Sequence, residues 1–156
     1  MKKYEIVGIE NALMDILVKS SDEEIQRLGL KKGVMQLVES DEQKKLLASL
    51  ENSNAEYELG GSTANALRGA AVLGAKTLYS SALGNDKWKD VFRKRLAELN
   101  IADRTVIKEG QTGSCAVLVT PDAERTMNTY LGACRLYSRE DLPVSDIESC
   151  SIFFST

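Results

Sequence analysis

The chain contains no histidine. That absence removes Ser-His-Asp and Cys-His nucleophile chemistry together with the commonest transition-metal ligand. Any chemistry must therefore run on carboxylates, amides, hydroxyls, backbone dipoles and Arg or Lys. Cysteine is scarce as well: Cys115, Cys134 and Cys150 are odd in number, widely separated and without C-x-x-C spacing, so reduced thiols are the simplest reading. No basic block exists. Lys plus Arg number 20 against 23 Asp plus Glu, a formal net charge of −3, which withholds the electrostatic footprint of nucleic-acid binding. Long hydrophobic runs are also missing: the apolar stretch after Met1-Lys2-Lys3 is interrupted by Glu5, Glu10 and Asp15, and no small-residue cleavage site follows it. A cytoplasmic protein with neither a nucleic-acid nor a membrane partner is expected. Internal repeats, low-complexity segments and long linkers are lacking too.

What is present suits one globular domain: 156 residues, 43% hydrophobic and 28% charged. Residues 4–9 and 14–18 read as two β-rich runs separated by the polar elbow Glu10-Asn11-Ala12-Leu13. Ser21 and the acids after it start a short helix carrying Ile25 and Leu28, which Gly29 stops. Residues 34–38 form a further strand, and a helix from about Ser40 places Leu46, Leu47 and Leu50 at helical spacing. After a polar break at residues 52–54, residues 56–59 lead into Gly60-Gly61. Ser62 or Thr63 is expected to cap the next helix, through Ala64, Leu67, Ala70, Ala71 and Leu73, with Gly74 at its stop. An apolar strand at 77–83 and a helix after Asp86 follow, carrying Trp88, Val91, Phe92, Leu96 and Leu99. Strands at 115–120 and 126–131 flank the turn Pro121-Asp122-Ala123-Glu124 as a hairpin, Ser138 resembles a helix start, and residues 151–154 are apolar. Strand and helix alternate, the signature of an α/β layer architecture. A parallel strand is normally followed by its crossover helix and next strand, so the chain is expected to stop in mid-fold.

Gly60-Gly61-Ser62-Thr63-Ala64-Asn65 is the strongest local signal. Two glycines let a ligand approach the backbone, and the helix start behind them offers unpaired N–H donors and a positive dipole end. Such a turn also serves as a plain connector, but Asn65, on the first turn of an otherwise small and apolar helix, can present its amide to a ligand hydroxyl. A wall for a small polar ligand is expected here. Asn11 and Asp15 form a second pair, an amide and a carboxylate able to fork onto adjacent sugar hydroxyls; a turn residue and a solvated strand end are the alternative. Third come Thr112-Gly113-Ser114 and Arg125, whose guanidinium either meets a phosphate or is a solvated hairpin charge. Asp86 and the basic residues from Lys87 to Arg95 read as a helix cap and a solvated face.

In this order, the residues from Gly8 to Asp15, from Gly60 to Gly74, Gly84-Asn85-Asp86, Thr112-Gly113 and those from Arg125 to Ala133 resemble the ribokinase-like (phosphofructokinase-B-type) family of sugar and nucleoside kinases. Gly60 to Ala66 with Leu73-Gly74-Ala75 is similar to that family's first signature. The segment from Leu28 to Val38 is most similar to the adenosine-kinase-like branch. The resemblance implies an α/β fold: a mostly parallel sheet with flanking helices, incomplete here, plus a small β lid from segments at about 14–38 and 112–131. It implies that Asn11, Asp15, Gly60, Gly61, Ser62 and Asn65 hold the hydroxyls of a sugar or nucleoside, that Leu13 and Leu37 pack on a base, and that Arg125 lies near the transferred phosphate. ATP and Mg²⁺ are implied for the complete enzyme. The general-base aspartate and the nucleotide site belong to the C-terminal half, so no catalytic residue and no metal site are expected within this chain. A stand-alone or degenerate sugar- or nucleoside-binding module is the alternative. Lid strands in this family can pair between subunits, which makes a homodimer possible. Two positions depart from the pattern: Lys89 replaces a frequent Gly, and Glu10 replaces a small residue, where it is expected to crowd the pocket or alter its charge.

Overall fold

The computed structural model describes residues 2–51 and 53–156; Met1 and Asn52, the first residue of the polar break, lie outside them. In chain order the elements are β1 (Ile6–Ile9), β2 (Leu13–Lys19), α1 (Asp22–Arg27), β3 (Met35–Leu37), α2 (Ser40–Ser49), β4 (Glu56–Gly60), α3 (Ser62–Val72) and β5 (Thr77–Ser80). There follow β6 (Ala82–Gly84), α4 (Lys87–Glu98), β7 (Ile101–Asp103), β8 (Val106–Lys108), β9 (Gly113–Val119), β10 (Arg125–Tyr130), α5 (Val144–Ser149) and β11 (Ile152–Ser155). The fold is α/β, with helices against mainly parallel strands.

The central sheet has the order β11-β1-β5-β7 and all its pairings are parallel. Pleating sends alternate side chains to opposite faces, so Gly8 points toward α3. The helix sits so close that a Cβ added at Gly8 would overlap Thr63 Cγ2. Glycine is the side chain that fits. Ala64 and Leu67 of α3 then pack with Tyr79, Phe92, Leu96 and Ile101 in one buried cluster. The tilted rings of Tyr79 and Phe92 lie 5.5 Å apart, within the range of favourable aromatic pairs.

A second, mixed sheet has the order β3-β10-β9-β2-β4. Strict alternation along β2 drives it: Met14, Ile16 and Val18 are buried, whereas Leu13, Asp15 and Leu17 are half-buried. Ile16, Val18, Ala116 and Leu118 pack against Ile25 of α1 and Leu46 and Leu50 at α2. The opposite face, with Asp15 in its middle, carries neither helix. The β9–β10 hairpin forms at Pro121-Asp122-Ala123-Glu124, where Ala123 takes φ +64 and Thr120 N–H donates to Glu124 O at 3.0 Å.

Three sequence readings change. The apolar run at 77–83 is two strands, interrupted at Ser81, because β5 joins the central sheet and β6 pairs with β8 in a separate two-stranded sheet. The Ser81 hydroxyl donates to Glu10 O at 2.6 Å and accepts Ala12 N–H at 3.0 Å, pinning the elbow after β1. Ser138 opens a single 3-10 turn, Arg139–Asp141, before α5. Strands β7 and β8, only three residues each, carry too little periodicity to read from sequence.

Candidate functional site

The elbow that follows β1 leaves the carboxyl edge of the parallel sheet, the edge at which open α/β sheets gather ligands. Glu10 begins it and is 9% exposed. Its carboxylate accepts Thr63 N–H at 2.8 Å and Ala64 N–H at 2.5 Å, two of the orphan donors at the start of α3. The Thr156 hydroxyl donates to the same group at 3.4 Å. Burial raises the Glu10 carboxyl above its ordinary range, and the two N–H groups pull it partly back.

This overturns the expectation that Ser62 or Thr63 caps the helix. The N-cap is Gly61, which makes no side-chain cap bond. Glu10 supplies the cap from a distant segment, so its carboxylate is spent on the helix backbone. Gly61 has φ +101, and a Cβ there would overlap Glu10 Oε1. Gly60 faces the other carboxylate: a Cβ at Gly60 would overlap Asp15 Oδ1. Each glycine of the pair therefore makes room for one carboxylate.

Asp15 differs from Glu10 in one respect. Among the described residues its carboxylate has no hydrogen-bond donor. Burial raises its pKa and the Arg125 charge lowers it. Asp15 lies in register with Cys115, Cys115 with Thr129, and Thr129 with Leu37. One row across the open face thus runs Asp15, Cys115, Thr129, Leu37, about 14 Å from end to end at the usual strand spacing. Thr129 donates to the Cys115 thiol at 3.2 Å, and burial pushes that thiol up to about 11.

Leu13 pairs in register with Gly60, so Leu13, Asp15, Gly60 and Gly61 are brought together. Asn11, Ser62 and Asn65 are exposed around them, on the elbow and the first turn of α3. Leu37 is 64% exposed at the far end of the row. Arg125 is exposed at the start of β10 and acts on Asp15 through charge alone, without an ion pair among the described residues. Thr112 does not join this group: its N–H and hydroxyl both bond Asp86 at 2.8 Å, and its hydroxyl accepts Gly84 N–H at 3.1 Å. Asp86 also caps α4 by accepting Trp88 N–H, as the sequence implied. Ser114 is held by the Gln43 amide at 3.0 Å.

Sequence reasoning missed Glu10 as a cap and Ser81 as the pin of the elbow. For Glu10 the signal was present, an acid where a small residue is usual, two positions after Gly8 and beside a helix start lacking its own cap. Among the described residues no three His, Cys, Asp or Glu side chains are grouped to hold a metal ion, and no helix is long and apolar enough to cross a membrane.

The chain is similar to known sugar and adenosine kinases. The chain is 26% identical over 145 residues to an adenosine kinase of Schizophyllum commune, covering 91% of this chain and 42% of that protein. Among solved structures, a probable sugar kinase from Rhizobium etli superposes with TM-score 0.89 at 28% identity, covering 99% of this chain and 47% of the other. The adenosine kinase from Sinorhizobium meliloti superposes with TM-score 0.86 at 29% identity, covering 98% and 47%. The chain thus spans less than half the length of these relatives. Residues 27–154 match the pfkB family of carbohydrate kinases, and the chain belongs to that family.

Proposed function

We propose that this chain is the acceptor-binding part of an ATP-dependent kinase that phosphorylates a hydroxyl of a sugar or nucleoside. The observation that carries the reading is Asp15: a carboxylate raised by burial, without a donor among the described residues, facing the open side of the sheet against Gly60. A half-buried carboxylate without a protein donor is open to an incoming one, and a sugar diol supplies two. Asn11, Ser62 and Asn65 offer further polar atoms beside it. Leu13 and Leu37 flank the row as apolar surface for a base, and Arg125 supplies positive charge near a transferred phosphate. The mixed sheet acts as the lid over the acceptor. Its outer strands, β3 and β4, are the edges through which two copies would pair.

On this reading ATP, Mg²⁺ and the general base are assigned to the part of the family domain that this chain does not span, less than half of its relatives' length being covered. The three free cysteines suit a cytoplasmic protein.

Calorimetric titration of the chain with adenosine and with ribose tests the reading. Asp15→Asn removes a charge-assisted acceptor, expected to weaken binding by about 1.5–3 kcal/mol, or roughly ten- to a hundredfold. Equal affinity in the variant would take Asp15 out of the site, and no binding of either compound to the wild type would defeat the acceptor reading.

A further inference from the structure

The face of the mixed sheet that packs under α1 and α2 is apolar along β2 and β9, through Ile16, Val18, Ala116 and Leu118. Asn128 breaks that pattern. It stands on β10 in register with Ala116 on one side and Gln36 on the other. It is 2% exposed overall, and its side chain borders a cavity. Asn128 and Gln36 line a cavity of about 720 Å³ whose walls include Leu28, Leu30 and Leu46. Lys45 and Glu42 also border it, one charge of each sign. Asn128 and Gln36 share register with Ala116, on the face opposite Asp15, and Leu37, at the end of the Asp15 row, borders the same cavity at the sheet edge.

An amide on the wall of a cavity keeps its N–H and C=O free to pair with a ligand that displaces water. Such an amide is what a binding pocket uses to fix orientation, with apolar walls providing the area. A primary amide presents a donor and an acceptor side by side. Its natural complement is a ring edge that carries an acceptor and a donor side by side, as in the bidentate pairing of Asn or Gln with the N6/N7 edge of adenine. The opposed charges bordering the cavity favour a neutral ligand over an anion.

We propose that this cavity is a second binding site, beyond the edge strand from Asp15 and Gly60, for an uncharged nucleobase held by the Asn128 amide and assisted by Gln36. The ring lies between Leu28, Leu30 and Leu46. Because Gln36 and Leu37 are consecutive on the edge strand β3 and point to opposite faces, a base bound here would order the same strand that carries Leu37 on the acceptor side.

Titration of ¹⁵N-labelled chain with adenine and with uracil, followed by two-dimensional NMR, tests this. Saturable shifts are expected at Gln36, Leu46 and Asn128, with little change at Leu13 and Asp15. Asn128→Leu is expected to raise the dissociation constant at least tenfold. Gln36→Ala, at an exposed position on an edge strand, is expected to raise it several-fold and decides the matter if Asn128→Leu fails to fold. The proposal is overturned if neither base gives saturable shifts at millimolar concentration, if the shifts gather at Leu13 and Asp15, or if both variants bind as the wild type does.

Discussion

Replacing Glu10 by Ala would expose how the acceptor wall is held together. Thr63 and Ala64 are 0% and 2% exposed, so with Glu10 in place the carboxylate rather than water satisfies their N–H groups. The variant takes the protein acceptor away from two backbone donors. Losing a helix cap costs about 0.5–2 kcal/mol, and each hydrogen bond to a charged group is worth about 1.5–3 kcal/mol before desolvation is counted. Desolvation opposes these terms here, because burial is the largest influence on the Glu10 carboxyl and raises its pKa. A net loss of about 2 kcal/mol follows for Glu10→Ala at pH 7. With a urea slope of about 1.5 kcal/mol per molar, the denaturation midpoint should fall by roughly 1.3 M, read by far-UV circular dichroism.

Glu10→Gln separates the oxygen from the charge. A raised pKa means that the native state prefers the neutral group, so the ionised form is a burden at pH 7 that the amide does not carry. The amide still offers one carbonyl oxygen to the helix. Its expected loss is under about 1 kcal/mol, less than half that of Ala. The native state holds the Glu10 proton more tightly than the unfolded chain, so stability falls as pH rises from the unfolded value through the raised native one. The wild type should accordingly gain on Glu10→Gln as the pH is lowered through that window. Equal destabilisation by Ala and Gln at pH 7 would refute the reasoning, because the charge rather than the oxygen acceptors would then dominate.

Asp15, also raised by burial, obeys the same sign: Asp15→Asn should increase the stability of the free chain at pH 7 while weakening acceptor binding, checked by urea titration at pH 4 and pH 7. Gly61→Ala places a Cβ against Glu10 at φ +101, and a loss of about 1–3 kcal/mol is expected by thermal unfolding. In thiol labelling at pH 8, Cys150, which is partly exposed, should react first. Cys115 and Cys134, both buried with thiols pushed up to about 11, should stay protected until the chain unfolds.

Much of the fold was legible because it is locally encoded. Ser21 accepts Glu24 N–H at the start of α1, Gly29 takes φ +69 just beyond its end, and the alternation along β2 marks which face goes under the helices. What could not be read was set by distant partners. The break of the apolar run at Ser81 falls where that hydroxyl binds both sides of an elbow about 70 positions earlier in the chain, a distance given by the 69 to 71 residues that separate the partners. No local propensity encodes it. Strands β7 and β8 form because β5 and β6 offer parallel edges to residues too few to show a period of their own.

The candidate site divides along the same line. The glycine pair, Asn11, Asp15 and Asn65 could be singled out because their residue types are unusual in their local settings. Roles depended on tertiary geometry. Ser62 and Glu10 look from sequence like a cap and an intruder, and in space the relation reverses: Ser62 is left exposed and Glu10 closes the helix. The N–H groups of Thr63 and Ala64, which a free helix start would offer to an anion, are already taken by that carboxylate. The wall that remains consists of the unpaired Asp15 carboxylate together with neutral amides and a hydroxyl. On the proposed reading such a surface recognises its ligand by accepting hydroxyl donors, and the Asp15→Asn titration is the measurement that tests those atoms.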